Sequence, residues 1–285
     1  DLAFIGFGEA AMAFAEGMPG QLAGYDLRFA DPAKSADFAR LNVGSAASNG
    51  DAACHAQLIL SLVTADQAIP AARQTASGIA PGALFCDMNS VAPDTKRAAR
   101  ALIEEAGGRY VDVAVMAPVL PARRGVPLLV SGPHADAACL ALRGFGFVPR
   151  AVAGEVGAAS AIKMIRSVMV KGLEALTAEC FLAAEAAGVT AEVAASLDAS
   201  WPGTDWRAKA DYNLERMLVH GLRRAAEMEE VVLTLDALGT GSAMTRATAQ
   251  RQRAIGERHF DAPAGLEAKA ALLNHNEKRD GEIAA

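Results

Sequence analysis

Short apolar runs of strand length recur through the first half of the chain, at residues 2–5, 27–30, 58–63, 84–87, 110–115 and 128–131. Between most of them lie alanine-rich stretches of helical character, at 10–22, 35–41, 66–76 and 94–105. Strands that are apolar throughout, rather than alternating, are buried on both faces. Their separation by helices is the pattern of a parallel sheet covered on each side. Pro81-Gly82 and Gly107-Gly108 punctuate the units as turns. Residues 1–155 are therefore expected to form an α/β Rossmann-type, doubly wound domain.

The pattern changes after Gly154. Residues 157–187 contain no proline and no paired glycine, and they predict one helix about 45 Å long that joins two domains. Gly188 ends it as a C-cap. Helices are expected again at 190–197, 209–237 and 242–258, separated by Trp201-Pro202-Gly203 and Gly239-Thr240-Gly241. Residues 156–260 are thus expected to form an all-α domain. Residues 261–285, rich in Lys, Glu, Asn and Ala, read as a surface helix or a disordered tail.

Composition narrows the choice of function. With 27 basic and 33 acidic residues the net charge is −6, which argues against a general nucleic-acid binder. No run of about 18 strongly apolar residues is present, so a membrane span is not expected. Cys54, Cys86, Cys139 and Cys180 are scattered without a CxxC pair, as for buried thiols in a reducing compartment. No grouping has metal-ligand spacing. These features together describe a soluble, cytoplasmic protein.

The first apolar run leads directly into Gly6-Phe7-Gly8-Glu9-Ala10-Ala11, a GxGxxA turn. Gly6 permits a tight turn, Gly8 lets backbone approach a pyrophosphate, and Ala11 lets helix and strand pack closely. Asp31, at the end of the expected second strand, is placed to hydrogen-bond the adenosine ribose, which leans the reading to NAD. Lys34 and Ser35 follow closely and offer a site for the extra phosphate of NADP instead.

A second candidate lies at the start of the long helix. Lys163 sits in an apolar stretch, with Arg166, Ser167, Lys171 and Glu174 along the same side. Partial desolvation and the neighbouring Arg166 both disfavour its ammonium form, which suits a general acid or base. The plainer reading is a snorkelling lysine whose stem covers core.

Taken together, these segments resemble the β-hydroxyacid dehydrogenases, the group that includes 6-phosphogluconate dehydrogenase and 3-hydroxyisobutyrate dehydrogenase. The dinucleotide turn corresponds to Gly6–Ala11. The family's Asp-Met-Ser-Thr-x-x-Pro segment corresponds to Asp87-Met88-Asn89-Ser90-Val91-Ala92-Pro93, and its GxGxxxKxxxN segment to residues 157–167, with the lysine at Lys163. The resemblance implies hydride transfer between NAD or NADP and an alcohol or β-hydroxy acid. It implies Lys163 as catalytic residue, Val63, Thr64 and Asn89 over the cofactor, Asn89, Arg166 and Ser167 at the substrate, and a homodimer. Two departures mark a divergent branch. The family's Ser-Gly-Gly substrate anchor is here Met116-Ala117-Pro118, and the Asn four residues after the lysine is Ser167. Arg123 and Arg124 offer a replacement anion site, or are solvated loop charges. His220, Arg223, Arg224 and Glu227 share one helix face that either closes over substrate or forms a solvated or dimer-facing charged stripe. An imine or ketone reductase, and a non-catalytic nucleotide-sensing protein, are the alternatives.

Overall fold

The computed structural model describes residues 1–283, with side chains as far as residue 275, so residues 284 and 285 of the expected tail lie outside the described residues. The chain divides into two compact units, 1–165 and 166–285. The division falls inside one long helix, after Ile165.

The first unit is built on an eight-stranded sheet. In chain order its elements are β1 (Leu2–Ile5), α1 (Glu9–Ala15), β2 (Leu22–Tyr25), α2 (Pro32–Arg40), β3 (Gly44–Ser45), α3 (Asn49–Ala53), β4 (Leu58–Ser61), α4 (Ala68–Ala76), β5 (Leu84–Asp87), α5 (Pro93–Glu105), β6 (Arg109–Val115), β7 (Pro127–Ser131), α6 (Ala135–Gly144) and β8 (Val148–Ala151). The strands lie in the order β3-β2-β1-β4-β5-β6-β7-β8. The first six in sequence pair in parallel, as the apolar runs predict. The pairing of β6 with β7 is antiparallel, and β8 is parallel to β7, so the last two strands run against the rest. Strands β1, β4 and β5 are buried along their whole length. Leu2 and Phe4 pack into the core on one face of the sheet, Ala3 and Ile5 into the core on the other.

Strand order reverses at β1, because β2 lies on one side of it and β4 on the other. A ligand crevice is expected beyond the carboxyl ends of strands at such a switch point. The Gly6–Ala11 turn leaves β1 there, and Val63 and Thr64 leave β4 beside it.

The second strand differs from expectation. Residues 27–30 form a turn, in which Phe29 and Asp31 N–H groups donate to the Asp26 and Arg28 carbonyls, and Leu27 is 71% exposed. The strand is Leu22–Tyr25, which the expected helix 10–22 overlaps at its last residue. That helix stops at Ala15 because Gly17 and Gly20 adopt φ of 63° and 97° around Pro19, backbone that no helix continues through.

The second unit is all-helical. It contains the remainder of α7 (Ala158–Ala186), then α8 (Thr190–Ser200), α9 (Trp206–Ala237), α10 (Ala243–Gly256) and α11 (Leu266–Ile283). Its core gathers Phe181, Leu214, Met217, Ile255, Leu266 and Leu273. The tail expected at the surface is in part a core element, since α11 buries Leu266, Ala270 and Leu273. Helices α9 and α10 cross at two glycines. A Cβ on Gly221 would lie 2.5 Å from the Gln252 carbonyl oxygen, and one on Gly256 2.5 Å from the Leu222 nitrogen. No helix among the described residues is long and apolar enough to cross a membrane. Cys86 and Cys139 are buried as expected, Cys180 is half-buried, and Cys54 is exposed.

Candidate active site

Backbone geometry makes the first turn obligatory for glycine. Gly6 has φ of 82°, and a Cβ there would stand 2.7 Å from the Leu62 carbonyl oxygen and 2.8 Å from Val63 Cγ1. Gly8, by contrast, meets nothing within 4 Å, so its backbone faces open space. No side chain caps the first turn of α1. Ala11 is fully buried in the core cluster on one face of the sheet, and Ala10 and Glu9 lie toward the surface. An open glycine backbone above uncapped N–H groups fits a dinucleotide pyrophosphate.

Phe7 contributes through its peptide, because its ring is buried between Phe4 and Phe38. The Phe7 N–H donates to Asp26 Oδ2 at 2.8 Å, and its carbonyl accepts from Lys34 Nζ at 2.8 Å. These contacts correct two assignments. Asp31 is not at a strand end; it is the N-cap of α2, accepting the Ala33 N–H at 3.0 Å. The acid at the end of β2 is Asp26. Lys34 is 5% exposed and bonded inside the turn, with Asp37 also at 3.4 Å, so its ammonium is not presented to a 2′-phosphate. The Ser35 hydroxyl donates to the Pro32 carbonyl within α2.

Lys163 lies one turn into α7 and is half-buried. Its Nζ donates to Ser90 Oγ at 2.5 Å. Ser90 follows the end of β5, two strands from the glycine turn, and it is the partner that sequence reasoning passed over in favour of Asn89. Asn89 is 4% exposed with both ends of its amide engaged. Oδ1 accepts the Val63 N–H at 2.7 Å, and Nδ2 donates to Ser61 Oγ at 3.0 Å. The side chain therefore ties β5 to β4 and holds Val63 against Gly6, rather than reaching a substrate. Thr64 is exposed and opens the short turn before α4.

Two carboxylates, Asp87 at the head of the Asp87–Pro93 segment and Asp112 on β6, are buried close to this pair in the fold. Asp87 accepts from Lys96 at 2.9 Å, from the Tyr110 hydroxyl at 2.6 Å and from the Asn89 N–H at 2.9 Å. Burial, and then the Asp87 charge, push the Tyr110 phenol well above the ordinary tyrosine range, so it stays a donor. Asp112 caps the start of α7, accepting from Gly157 N at 3.1 Å, Ser160 N at 3.0 Å and Ser160 Oγ at 2.6 Å. Ser131 Oγ donates to it at 3.0 Å and accepts the Ala159 N–H.

The proposed anion site is corrected. The Arg124 guanidinium donates to the Phe14 and Glu16 carbonyls at 2.7 Å each and to the Gly17 carbonyl at 3.3 Å, closing the C-terminal end of α1. Arg123 pairs with Glu16 at 3.1 Å. Both are spent about 10 Å along α1 from the glycine turn. Met116, where the family has its substrate serine, continues the β6–β7 pairing through its N–H to the Pro127 carbonyl.

In the second unit, Arg166 lies exposed on α7, and Ser167 is buried and accepts from Lys171 at 3.4 Å. Lys171 reaches Glu227 of α9 at 2.8 Å. Glu174 holds the Arg224 guanidinium through two hydrogen bonds and accepts from Gln252 at 2.9 Å. The polar stripe of α7 is thus matched to Arg224 and Glu227 on α9. His220 and Arg223 point elsewhere, into a groove of about 510 Å³ beside His259 and Asp261.

The comparisons with known proteins agree with this architecture. Residues 1–142 match the NAD binding domain of 6-phosphogluconate dehydrogenase, and residues 184–255 match a domain of unknown function, DUF1932. The chain is 40% identical to a conserved hypothetical protein from Sinorhizobium meliloti 1021, matched over 96% of this chain and 95% of that one with a TM-score of 0.75. A conserved protein described as structurally similar to 3-hydroxyacid dehydrogenases is 27% identical over 91% of this chain and 99% of its own, at TM-score 0.69. The 3-hydroxyisobutyrate dehydrogenase of Mycobacterium tuberculosis shares the fold, at TM-score 0.76 with 17% identity over 95% of this chain and 98% of that one. Glycine turn, switch point and matched domain define an NAD-binding Rossmann protein of the oxidoreductase class. The chain joins an NAD-binding domain of the 6-phosphogluconate dehydrogenase type to a DUF1932 domain, and it shares its fold with 3-hydroxyisobutyrate dehydrogenase.

Proposed function

We propose that this protein is an NAD(P)-dependent dehydrogenase acting on an alcohol or β-hydroxy acid, with Lys163 as general acid and base. The observation that carries the reading is the 2.5 Å contact between Lys163 Nζ and Ser90 Oγ, on a segment that Asn89 ties to Val63 and so to Gly6. A bound nicotinamide supplies the hydride acceptor or donor. In oxidation Lys163 takes the substrate hydroxyl proton, and in reduction it returns one to the oxygen. Ser90 orients the amine. Ser167 and Arg166 remain candidates for substrate positioning, although Ser167 already has a partner in Lys171.

Asp26 takes the part first assigned to Asp31, and its position at the end of β2 favours NAD over NADP. Arg28, exposed two residues on, is the competing cation. Titrating intrinsic cofactor fluorescence with NADH and NADPH side by side is expected to give tighter binding of NADH by about tenfold. Equal or reversed affinities would remove Asp26 from that role. Binding of neither cofactor, or failure to oxidise any member of a panel of hydroxy acids and alcohols, would overturn the dehydrogenase reading.

Gly6→Ala provides a sharper test of the turn. The added methyl meets backbone at 2.7 Å and forces an L-residue into φ of 82°, so cofactor affinity is expected to fall at least about a hundredfold. The same titration reads it.

Loss of the Ser-Gly-Gly anchor, now Met116-Ala117-Pro118, favours a second reading in which the substrate carries no carboxylate, as for an imine or ketone reductase. Turnover of cyclic imines or neutral ketones but not of hydroxy acids would select it. We assign a homodimer to the helical unit, because Met169 and Leu176 of α7 and Val219 and Leu233 of α9 are all more than half exposed. Light scattering should return twice the 29.4 kDa chain mass.

A further inference from the structure

Lys96 has no exposed surface, and nothing in the proposed proton transfer uses it. Its ammonium donates to the Asp87 backbone carbonyl at 2.6 Å and to the Asp87 carboxylate at 2.9 Å, and it stands 3.6 Å from Asp112. Each of those carboxylates is fastened to one half of the Lys163–Ser90 pair. Asp87 holds the Asn89 N–H, one residue before Ser90. Asp112 holds the first turn of α7 through Gly157, Ser160 and the Ser131 hydroxyl, and Lys163 lies one turn beyond Ser160. The contacts therefore close a ring that runs Ser90, Asn89, Asp87, Lys96, Asp112, Ser160, Lys163 and back to Ser90.

A buried ammonium between two carboxylates is a weak device for stability, since apolar residues of the same volume serve as well or better. What the charges add is geometry. They admit one register between the end of β5 and the start of α7, in which both carboxylates keep their donors. We infer that Lys96 is a positioning residue, holding the Ser90 hydroxyl against the Lys163 amine. Its catalytic consequence rests on the dehydrogenase reading above; its geometric consequence does not.

The test uses the full chain and two ring variants. Lys96→Met combined with Asp87→Asn removes one charge of each sign, and Ser160→Ala removes only the 2.6 Å hydrogen bond to Asp112. Ser160→Thr restores a hydroxyl. Leu142→Ala, in the core cluster on the other face of the sheet from Tyr110, controls for lost stability. The first readout is the rate at which Lys163 is reductively methylated by formaldehyde and borohydride, followed by peptide mass spectrometry. The second is kcat beside the NADH dissociation constant.

Both ring variants are expected to raise the Lys163 methylation rate at least about fivefold, and to lower kcat about ten- to a hundredfold with cofactor affinity within about twofold. Ser160→Thr should return both readouts toward wild type, and Leu142→Ala should move the melting temperature alone. If the double variant does not fold, Ser160→Ala decides. An unchanged methylation rate, or an equal rise in Leu142→Ala, overturns the inference. A rise in methylation in a protein that turns over no substrate upholds the positioning role and overturns the dehydrogenase reading instead.

Discussion

Lys163→Ala is expected to lower kcat by about 10²–10⁴-fold while leaving NADH affinity within about twofold. The two effects separate because Lys163 is carried by α7, whereas the dinucleotide turn is built from β1, β2 and β4. Lys163→Arg should fail equally. A guanidinium keeps its proton at every working pH, so it can neither accept the substrate proton nor return one. Steady-state kinetics with the best substrate of the panel, beside a cofactor titration of each variant, measures both quantities. Retained turnover in the alanine variant would exclude lysine acid–base chemistry and leave the fold's cofactor binding without an assigned proton carrier.

Arg224→Leu is expected to destabilise the helical unit by about 3–5 kcal/mol. The guanidinium reaches from α9 to Glu174 of α7 by two hydrogen bonds, and both side chains are at most 10% exposed. Removing the arginine leaves the buried Glu174 carboxylate with the neutral Gln252 amide in place of its cation. The cost is thus that of an unpaired charge, not of a lost attraction. Pairing the change with Glu174→Leu should recover most of the loss, since two apolar side chains replace two charges. Urea denaturation followed by tryptophan fluorescence reads this cleanly, because Trp201 and Trp206 are the only tryptophans and both belong to the second unit. A double variant no more stable than Arg224→Leu would mean the pair fixes helix geometry that leucines cannot.

The parts of this protein that are readable in its sequence are those where one residue type has no substitute. Gly6 must be glycine for its φ and its approach to Leu62, and the mainly apolar runs of β1, β4 and β5, buried along their whole length, have no place but a sheet covered on both sides. Lys163 stands out as a cation in apolar surroundings. Asp26 does not stand out. Its role depends on where β2 ends, and the stretch at 22–25 contains a glycine and alternates in burial, so the apolar run at 27–30 competes with it. Lys34 and Arg124 mislead for a common reason. A cation beside a motif reads as a ligand for an anion, but nearby carbonyl oxygens satisfy it equally well, and only the fold brings Phe7 to one and the end of α1 to the other. The ring around Lys96 is invisible for a further reason. Its members come from the segment that runs from the end of β5 into α5, from β6 and from α7, and no single spacing along the chain relates the three groups.

The double hold on the Phe7 peptide bears on how the cofactor preference of this scaffold can be rewritten. A common swap replaces the acid after the second strand with a small or basic residue to welcome a 2′-phosphate. Here that acid also receives a backbone N–H from the dinucleotide turn, while Lys34 grips the same peptide from its carbonyl side. Nucleotide choice and turn shape are therefore one design variable in this chain. Even Asn at position 26, which sheds the negative charge and keeps one acceptor for the Phe7 N–H, would turn an amide NH2 toward the Arg28 N–H that the other carboxylate oxygen now accepts at 2.9 Å, so the first cannot be changed without touching the second.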